Sequence, residues 1–187
     1  MSRADLSSSQ THCDSPLVDP LAALADASAG DAPQGLFPLP LAPLETLMVV
    51  DDRPAYPMTF FGELQFRGVI SRPALETALE AAVSRHPLLA ARIDGPARAR
   101  RWVAAERSLP PIVFTSDCQP APDCDQSYPR PPQPIDLQTG TGLRLWVRTG
   151  SDASRMLLEF HHACCDGQGA MRFIGDLLAA YAAQVAP

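Results

Sequence analysis

The residues best suited to chemistry form one short run, HHACCDGQG at residues 161–169. An imidazole with its ordinary pKa of about 6.5 can take up and return a proton near neutral pH. Two adjacent histidines at a strand end point to opposite sides, so one can be anchored inside while the other faces a channel. Asp166 can orient the following loop, most simply by pairing with an arginine, and Gly167 leaves room for a substrate arm. The run therefore indicates a proton-transfer site.

The segments on either side of this run predict a strand and a helix. Residues 156–160 are almost continuously apolar, as in a strand that is buried on both faces. After the run, one helical face is apolar, and it consists of Ala170, Phe173, Ile174, Leu177, Leu178 and Tyr181. We therefore expect the histidine pair at the junction of a central strand and a closing helix.

The rest of the chain predicts a mixed α/β fold. A helix is expected to begin at Pro43, and apolar residues alternate from Met58 to Phe66 as in a strand with one buried face. Ser71 is expected to cap an amphipathic helix that ends near Arg85. Further strands are expected at residues 88–93, 102–104, 112–115 and 143–147, and a proline-rich loop at 117–134. Because helices are too few for repeated βαβ crossovers, we expect a mixed-sheet α/β sandwich.

The sequence HHACCDG resembles the HHxxxDG signature of one enzyme superfamily. That superfamily contains chloramphenicol acetyltransferase, the condensation domains of peptide synthetases, and polyketide-associated and wax-ester acyltransferases. LETALEAAVSRHPLLAARI is similar to the first helix and following strand of the condensation-type members, and PIDLQTGTGLRLWV is similar to their strand before the signature. The resemblance covers residues 41–185 and implies the chloramphenicol acetyltransferase-like fold.

The resemblance also implies the roles of the signature residues. His162 would be the general base, which deprotonates a hydroxyl or amine acceptor that attacks a thioester of coenzyme A or of a carrier protein's phosphopantetheine arm. His161 and Asp166 would support the site, and Gly167 would line the tunnel. No metal and no tightly bound cofactor are expected. Cys164 and Cys165 occupy variable positions of the signature, so they are expected to be filler.

An arginine partner for Asp166 is a further implication. In many condensation-type members the strand after the first helix begins with a Leu-Arg pair, and that arginine can bridge to the signature aspartate. The corresponding pair here is Leu89-Ala90. Arg92 lies two residues further on the same strand face and is expected to replace it, with Arg144 as the alternative.

The length of the chain bears on how its site is completed. Condensation-type relatives have two similar lobes with the site between them, whereas chloramphenicol acetyltransferase has one lobe and trimerises. Residues 37–187 resemble the N-terminal lobe of the two-lobe group, and residues 1–36 are expected to be a disordered leader. We expect an acyltransferase that needs a second lobe, a partner chain or self-association as a trimer. The alternatives are a non-catalytic module that binds acyl-CoA or a carrier protein, and an inactive truncated lobe.

Composition bears on the partners and the cellular compartment that we expect for the protein. The 187 residues carry a net charge of −6, with 46% hydrophobic and 19% charged residues, and the 15 basic residues form no footprint for nucleic acid. The first residues lack the apolar core of a signal peptide, and no apolar run is long enough to span a membrane. Five irregularly spaced cysteines fit neither a disulfide framework nor a zinc site. We therefore expect a cytoplasmic protein with free thiols.

Overall fold

The computed structural model describes residues 35–105, 109–116 and 134–186. Helices and strands alternate irregularly in these ranges, which gives the predicted mixed α/β fold. In chain order the elements are β1 (Leu39–Pro40), α1 (Pro43–Asp51), β2 (Thr59–Arg67), α2 (Arg72–Arg85), β3 (Ala91–Asp94), β4 (Arg101–Ala104), β5 (Ile112–Ser116), β6 (Leu143–Thr149), β7 (Ala153–His161) and α3 (Gly167–Val185).

The larger of two sheets positions the histidine pair. Its strand order is β2-β7-β6-β5, and β7 is antiparallel to both of its neighbours, while β5 runs parallel to β6. In the ladder between β2 and β7, Phe60 lies opposite Phe160 and Thr59 lies opposite His161. His161 therefore closes a central strand of the sheet, as the apolar run at residues 156–160 predicted.

Helices α2 and α3 cover one face of this sheet. Because side chains alternate along a strand, Met156, Leu158 and Phe160 of β7 all point to the helices, and each is at most 1% exposed. Their helical counterparts form the rest of this core, and they are Leu75, Ala78, Leu79, Ala82, Val83, Ala170, Phe173, Ile174 and Leu177. The apolar periodicity of both helices in the sequence is thereby confirmed.

A polar cluster joins the two helices at their edge. Asp176 of α3 accepts a hydrogen bond from His86 Nε2 at 2.7 Å and lies 3.0 Å from the Arg85 guanidinium. His86 is the C-cap of α2, and its ring packs edge-on against Phe173. The cluster therefore fixes the end of α2 against the helix that follows the histidine pair.

The smaller sheet has the strand order β1-β4-β3. Trp102 of β4 is 1% exposed, and its indole Nε1–H donates to Glu45 Oε2 of α1 at 2.9 Å. The same carboxylate accepts the backbone N–H of Ala42 at 2.7 Å, which caps the start of α1. Glu45 therefore fastens α1 to this sheet and sets where that helix begins.

The expected strand at residues 88–93 is wrong in its first half. Pro87–Ala90 form a short 3₁₀ helix, and the strand begins only at Ala91. Proline holds φ near −65°, which suits the first position of a helical turn, and the Leu89 N–H donates to the His86 carbonyl at 3.0 Å. Strand β1 was not predicted; it is two residues long and pairs with β4.

Two predicted segments lie outside the described residues. They are the leader at residues 1–36, of which only Gly35 and Leu36 are described, and the loop at 117–134, of which only Pro134 is described. No helix in the described ranges combines the length and the apolar character needed to cross a membrane.

Candidate active site

A tight turn carries His162 out of the sheet. Strand β7 ends at His161, and the turn that follows is closed by the Cys164 N–H, which donates to the His161 carbonyl at 2.9 Å. The His162 N–H donates to the Met58 carbonyl at 2.8 Å, which extends the ladder with β2 by one bond. The backbone of His162 is therefore held on both sides while the residue itself is exposed.

The His162 ring lies at the end of a row of aromatic side chains. Its centroid is 4.4 Å from that of Phe60, which stacks on Phe160 at 5.3 Å. Phe160 in turn meets Phe173 of α3 edge to face at 5.9 Å. The row connects the exposed imidazole to the buried core, so the ring has one rigid apolar wall and one open side.

His161 occupies the opposite environment, with 1% of its surface exposed. Its Nδ1 accepts the Ala163 N–H at 3.1 Å, and its Nε2 lies 3.5 Å from Asp52 Oδ2. Burial lowers the pKa of His161, the Asp52 carboxylate raises it, and His162 lowers it further. The ring is therefore neutral at pH 7, with its proton on Nε2, facing Asp52.

Asp52 belongs to the site, although no sequence motif points to it. It is the C-cap of α1, and its Oδ1 accepts the Met58 N–H at 2.7 Å. Its only local signal is a carboxylate directly after a helix, which does not reveal a partner 109 positions later in the chain, at His161.

The two carboxyl-terminal residues of the signature begin α3. Asp166 is the N-cap, and its Oδ1 accepts the Gly169 N–H at 2.7 Å, a contact that satisfies one of the free amides of the first helical turn. Gly167 is exposed, and a side chain there would meet no atom within 4 Å. Asp166 thus fixes the point at which the turn becomes a helix.

Both arginines considered as partners of Asp166 face other carboxylates. Arg92 lies 3.8 Å from Asp94, and Arg144 Nε lies 3.1 Å from Glu159 Oε2. Glu159 is 4% exposed on the face of β7 away from the helices, where burial raises its pKa and Arg144 opposes this rise. The ion pair between Arg144 and Glu159, which joins β6 to β7 beside the histidine pair, was not predicted from the sequence.

The two cysteines of the turn are unsuited to nucleophilic chemistry. Both are free thiols. Burial raises the pKa of Cys164 well above its usual value and that of Cys165 to about 12, so almost no thiolate forms at neutral pH. Within the described residues, no three His, Cys, Asp or Glu side chains are grouped so that they could hold a metal ion.

The backbone at Gly142 lies close to the turn that carries His162. A Cβ atom at Gly142 would overlap Cys164 Sγ and would lie 2.9 Å from its Cβ. The Gly142 carbonyl also accepts the His161 N–H at 2.8 Å. The start of β6 is therefore packed directly against the turn that presents His162.

Two cavities lie near the site, on the side of His161. One of about 310 Å³ is lined in part by Asp52, His161, Ile135 and Leu137. A larger one of about 820 Å³ has Arg92 and Arg144 in its wall. His162 lines neither of them, and it is exposed.

Comparison with known proteins finds relatives of which this chain covers about a third. No protein-family model matches the chain. Two uncharacterized proteins of Mycobacterium tuberculosis, from the strains CDC 1551 / Oshkosh and H37Rv, are each 30% identical over 149 residues, which is 78% of this chain and 34% of the relative. The chain thus spans about a third of the length of these curated relatives.

Three solved structures have a fold similar to that of this chain. The X-domain in its complex with OxyB from teicoplanin biosynthesis superposes with a TM-score of 0.66 at 21% identity, over 82% of this chain and 34% of that one. The starter condensation domain of rhizomide synthetase gives 0.65 at 17% identity, over 78% and 38%. Polyketide synthase associated protein 5 from Mycobacterium tuberculosis gives 0.54 at 20% identity, over 76% and 32%. The described chain therefore has the mixed α/β fold of condensation-like domains.

Proposed function

We propose that the protein is a condensation-type acyltransferase in which His162 is the general base. The observation that carries this proposal is the placement of one exposed imidazole at the junction of β7 and α3, against the rigid wall of Phe60. A general base needs a fixed ring with free access to the proton that it removes. His161 cannot serve, because it is buried and both of its nitrogens face protein atoms.

The reaction assigned to this site is transfer of an acyl group from sulfur to oxygen or nitrogen. The His162 imidazole takes a proton from an acceptor hydroxyl or amine as its oxygen or nitrogen attacks the thioester carbonyl. The carbon–sulfur bond then breaks, and the imidazolium returns its proton to the departing thiolate. The donor is acyl-CoA or a carrier protein's phosphopantetheine thioester, and the chain uses no tightly bound cofactor.

The supporting roles follow from the contacts at the turn. His161 and Asp166 hold the backbone before and after His162, and Gly167 leaves the open side free for a pantetheine arm. Arg92 was expected to reach Asp166, but it contacts Asp94. The Asp166 carboxylate caps α3 instead. We place the reaction in the cytoplasm, where free thiols and acyl-CoA coexist.

We propose that the second wall of a cleft beside His162 comes from outside the described residues. His162 is exposed, and the chain covers about a third of the relatives and of the solved X-domain structure to which it is similar. We propose that residues 37–187 are an N-terminal lobe, and that a second lobe, a partner chain or self-association as a trimer completes the site.

A non-catalytic binding module is the second candidate function. It is favoured by the similarity to an X-domain whose structure was solved in complex with another protein, OxyB. In that case the face around His162 would hold an acyl-CoA, a carrier protein or another partner without turnover.

Native mass spectrometry of the protein, followed by a transfer assay, tests these two functions. The assay measures thiol release from acyl-CoA and acyl-carrier donors with a panel of amine and hydroxyl acceptors. In the completed assembly, His162→Ala should lower the transfer rate by about 10²- to 10⁴-fold and leave the melting temperature unchanged. Gln168→Ala, which changes an exposed residue in the first turn of α3, is the matched control and should retain activity.

The outcomes separate the candidates. A His162→Ala variant as active as the wild type contradicts general-base catalysis. Saturable binding of acyl-CoA or carrier protein with no product, in an assembly of more than one lobe, supports the binding module instead.

A further inference from the structure

The carboxylate of Asp52 lies where three parts of the chain meet. It follows the last turn of α1, contacts the residue before β2, and faces the last residue of β7. Its side chain is 17% exposed. Each of its two oxygens has a separate partner, Met58 N–H for Oδ1 and His161 Nε2 for Oδ2.

One of these contacts leads to His162 through Met58. The Met58 N–H is bound by Asp52, and the Met58 carbonyl is bound by the His162 N–H. Two residues further along lies Phe60, whose ring forms the wall under the imidazole. A shift of residues 58–60 therefore moves both the backbone anchor and the ring contact of His162 together.

The other contact leads to His162 through its neighbour. Because His161 Nδ1 accepts the Ala163 N–H, the proton of the neutral ring is on Nε2, directed at Asp52. A carboxylate is an acceptor only, so it selects this tautomer. Asp52 thus also fixes the ring that holds Ala163, the residue on the other side of His162.

We propose that Asp52 is a positioning residue for His162, acting from outside the signature through Met58 and His161. This proposal rests on the proposed function of His162, because positioning matters only if that imidazole reacts. Asp52 touches no reacting atom in this arrangement. It determines where the base stands relative to its substrate.

The adjacent Asp51 supplies a matched control. It lies one position earlier at the end of α1, carries the same charge and is 49% exposed. Its carboxylate contacts Arg53 at 2.7 Å on the surface. Asp51→Asn therefore removes one negative charge near the site without touching Met58 or His161.

The test is nuclear magnetic resonance of the full 187-residue chain labelled at histidine, with the His162 signals assigned from His162→Ala. In the wild type, His161 should carry its proton on Nε2. Asp52→Asn replaces one of the two carboxylate oxygens by an N–H₂ group, which can only donate. That group would then face either the Met58 N–H or the His161 Nε2–H, which are donors themselves, so one of the two contacts is lost. The His162 ring signals should then shift, whereas Asp51→Asn should leave them unchanged.

Two results overturn the proposal: His162 signals in Asp52→Asn that coincide with those of the wild type, or a wild-type His161 with its proton on Nδ1. The second measurement needs no variant, so it decides the question even if Asp52→Asn fails to fold.

Activity in the completed assembly gives an independent readout. Asp52→Asn should lower kcat by up to about 10²-fold with KM unchanged, as for a small misplacement of a catalytic group, and Asp51→Asn should not. A wild type inactive in every assembly contradicts the proposed function but leaves the resonance test of positioning intact. An active wild type whose kcat is unaffected by Asp52→Asn overturns the positioning role alone.

Discussion

On the helix-covered side of β7, a row of aromatic rings ends at the exposed His162, and on the opposite side His161 is buried against Asp52. The two residues are adjacent in the chain, and strand alternation alone would bury the one on the helix side. The turn at residues 161–164 lifts His162 out of the core, while α1 and the segment around Leu137 cover His161. At a strand end, burial is therefore set by what neighbouring segments cover, not by the period of the strand.

The largest expected effect is on the free energy of unfolding, and it compares one phenylalanine on each face of the larger sheet. Phe160 is 0% exposed on the helix side, and Phe61 is 46% exposed on the other. Phe160→Ala should lower the free energy of unfolding by about 3–5 kcal/mol because it leaves a cavity. Phe61→Ala should change it by about 0.5 kcal/mol or less, as exposed positions do. Urea denaturation measures both, and equal losses would contradict the assignment of the faces.

The next effect contrasts the two histidines themselves. His161→Ala leaves the Ala163 N–H and the Asp52 carboxylate without their partner, and we expect a loss of about 1–3 kcal/mol in the free energy of unfolding. His162→Ala removes an exposed ring and should change stability by about 0.5 kcal/mol or less. Calorimetry of the two variants checks this. The comparison breaks down if His162→Ala is the more destabilised of the pair.

A smaller effect is the pH dependence of stability that His161 contributes. Burial lowers its pKa below the ordinary 6.5, against the attraction of Asp52 and with the repulsion of His162. The unfolded chain therefore binds a proton where the folded ring stays neutral, so this contribution is complete above pH 6.5 and is lost as the pH falls below it. One group gives at most about 1.4 kcal/mol per pH unit.

Melting temperatures measured from neutral to acid pH, in the wild type and in two histidine variants, isolate the contribution of His161. His161→Gln should flatten the decline of the melting temperature toward acid pH, and His162→Gln should retain the wild-type decline. If His161→Gln declines as steeply as the wild type, another group is responsible.

The elements that are specified locally could be predicted from the sequence. The apolar faces of α2 and α3 and the alternation in β2 repeat over enough residues to distinguish helix from strand. The turn after β7 could be placed as well, since His161 and His162 stand between an apolar strand and an amphipathic helix. These features depend on neighbours within a few positions along the chain.

The contacts that join distant segments could not be predicted. Asp52 reaches His161, and Arg144 reaches Glu159, across strands and loops whose relative placement no local pattern encodes. Leu88 to Ala90 have the apolar character of a strand, yet the preceding Pro87 starts a 3₁₀ helix there. The first contacts depend on neighbours in three dimensions, and the 3₁₀ helix depends on the backbone constraint of Pro87; neither follows from the local side-chain preference.

Gly142 has a consequence for anyone who diversifies this region by mutagenesis. The Cys164 side chain occupies the space that a side chain at position 142 would need, so the start of β6 and the turn after β7 pack together only because residue 142 is glycine. Tolerance is thus one-sided: Cys164 can shrink to alanine, whereas growth at position 142 would force the bend outward and carry His162 with it. A library that keeps this glycine can replace Cys164 by alanine without moving the imidazole.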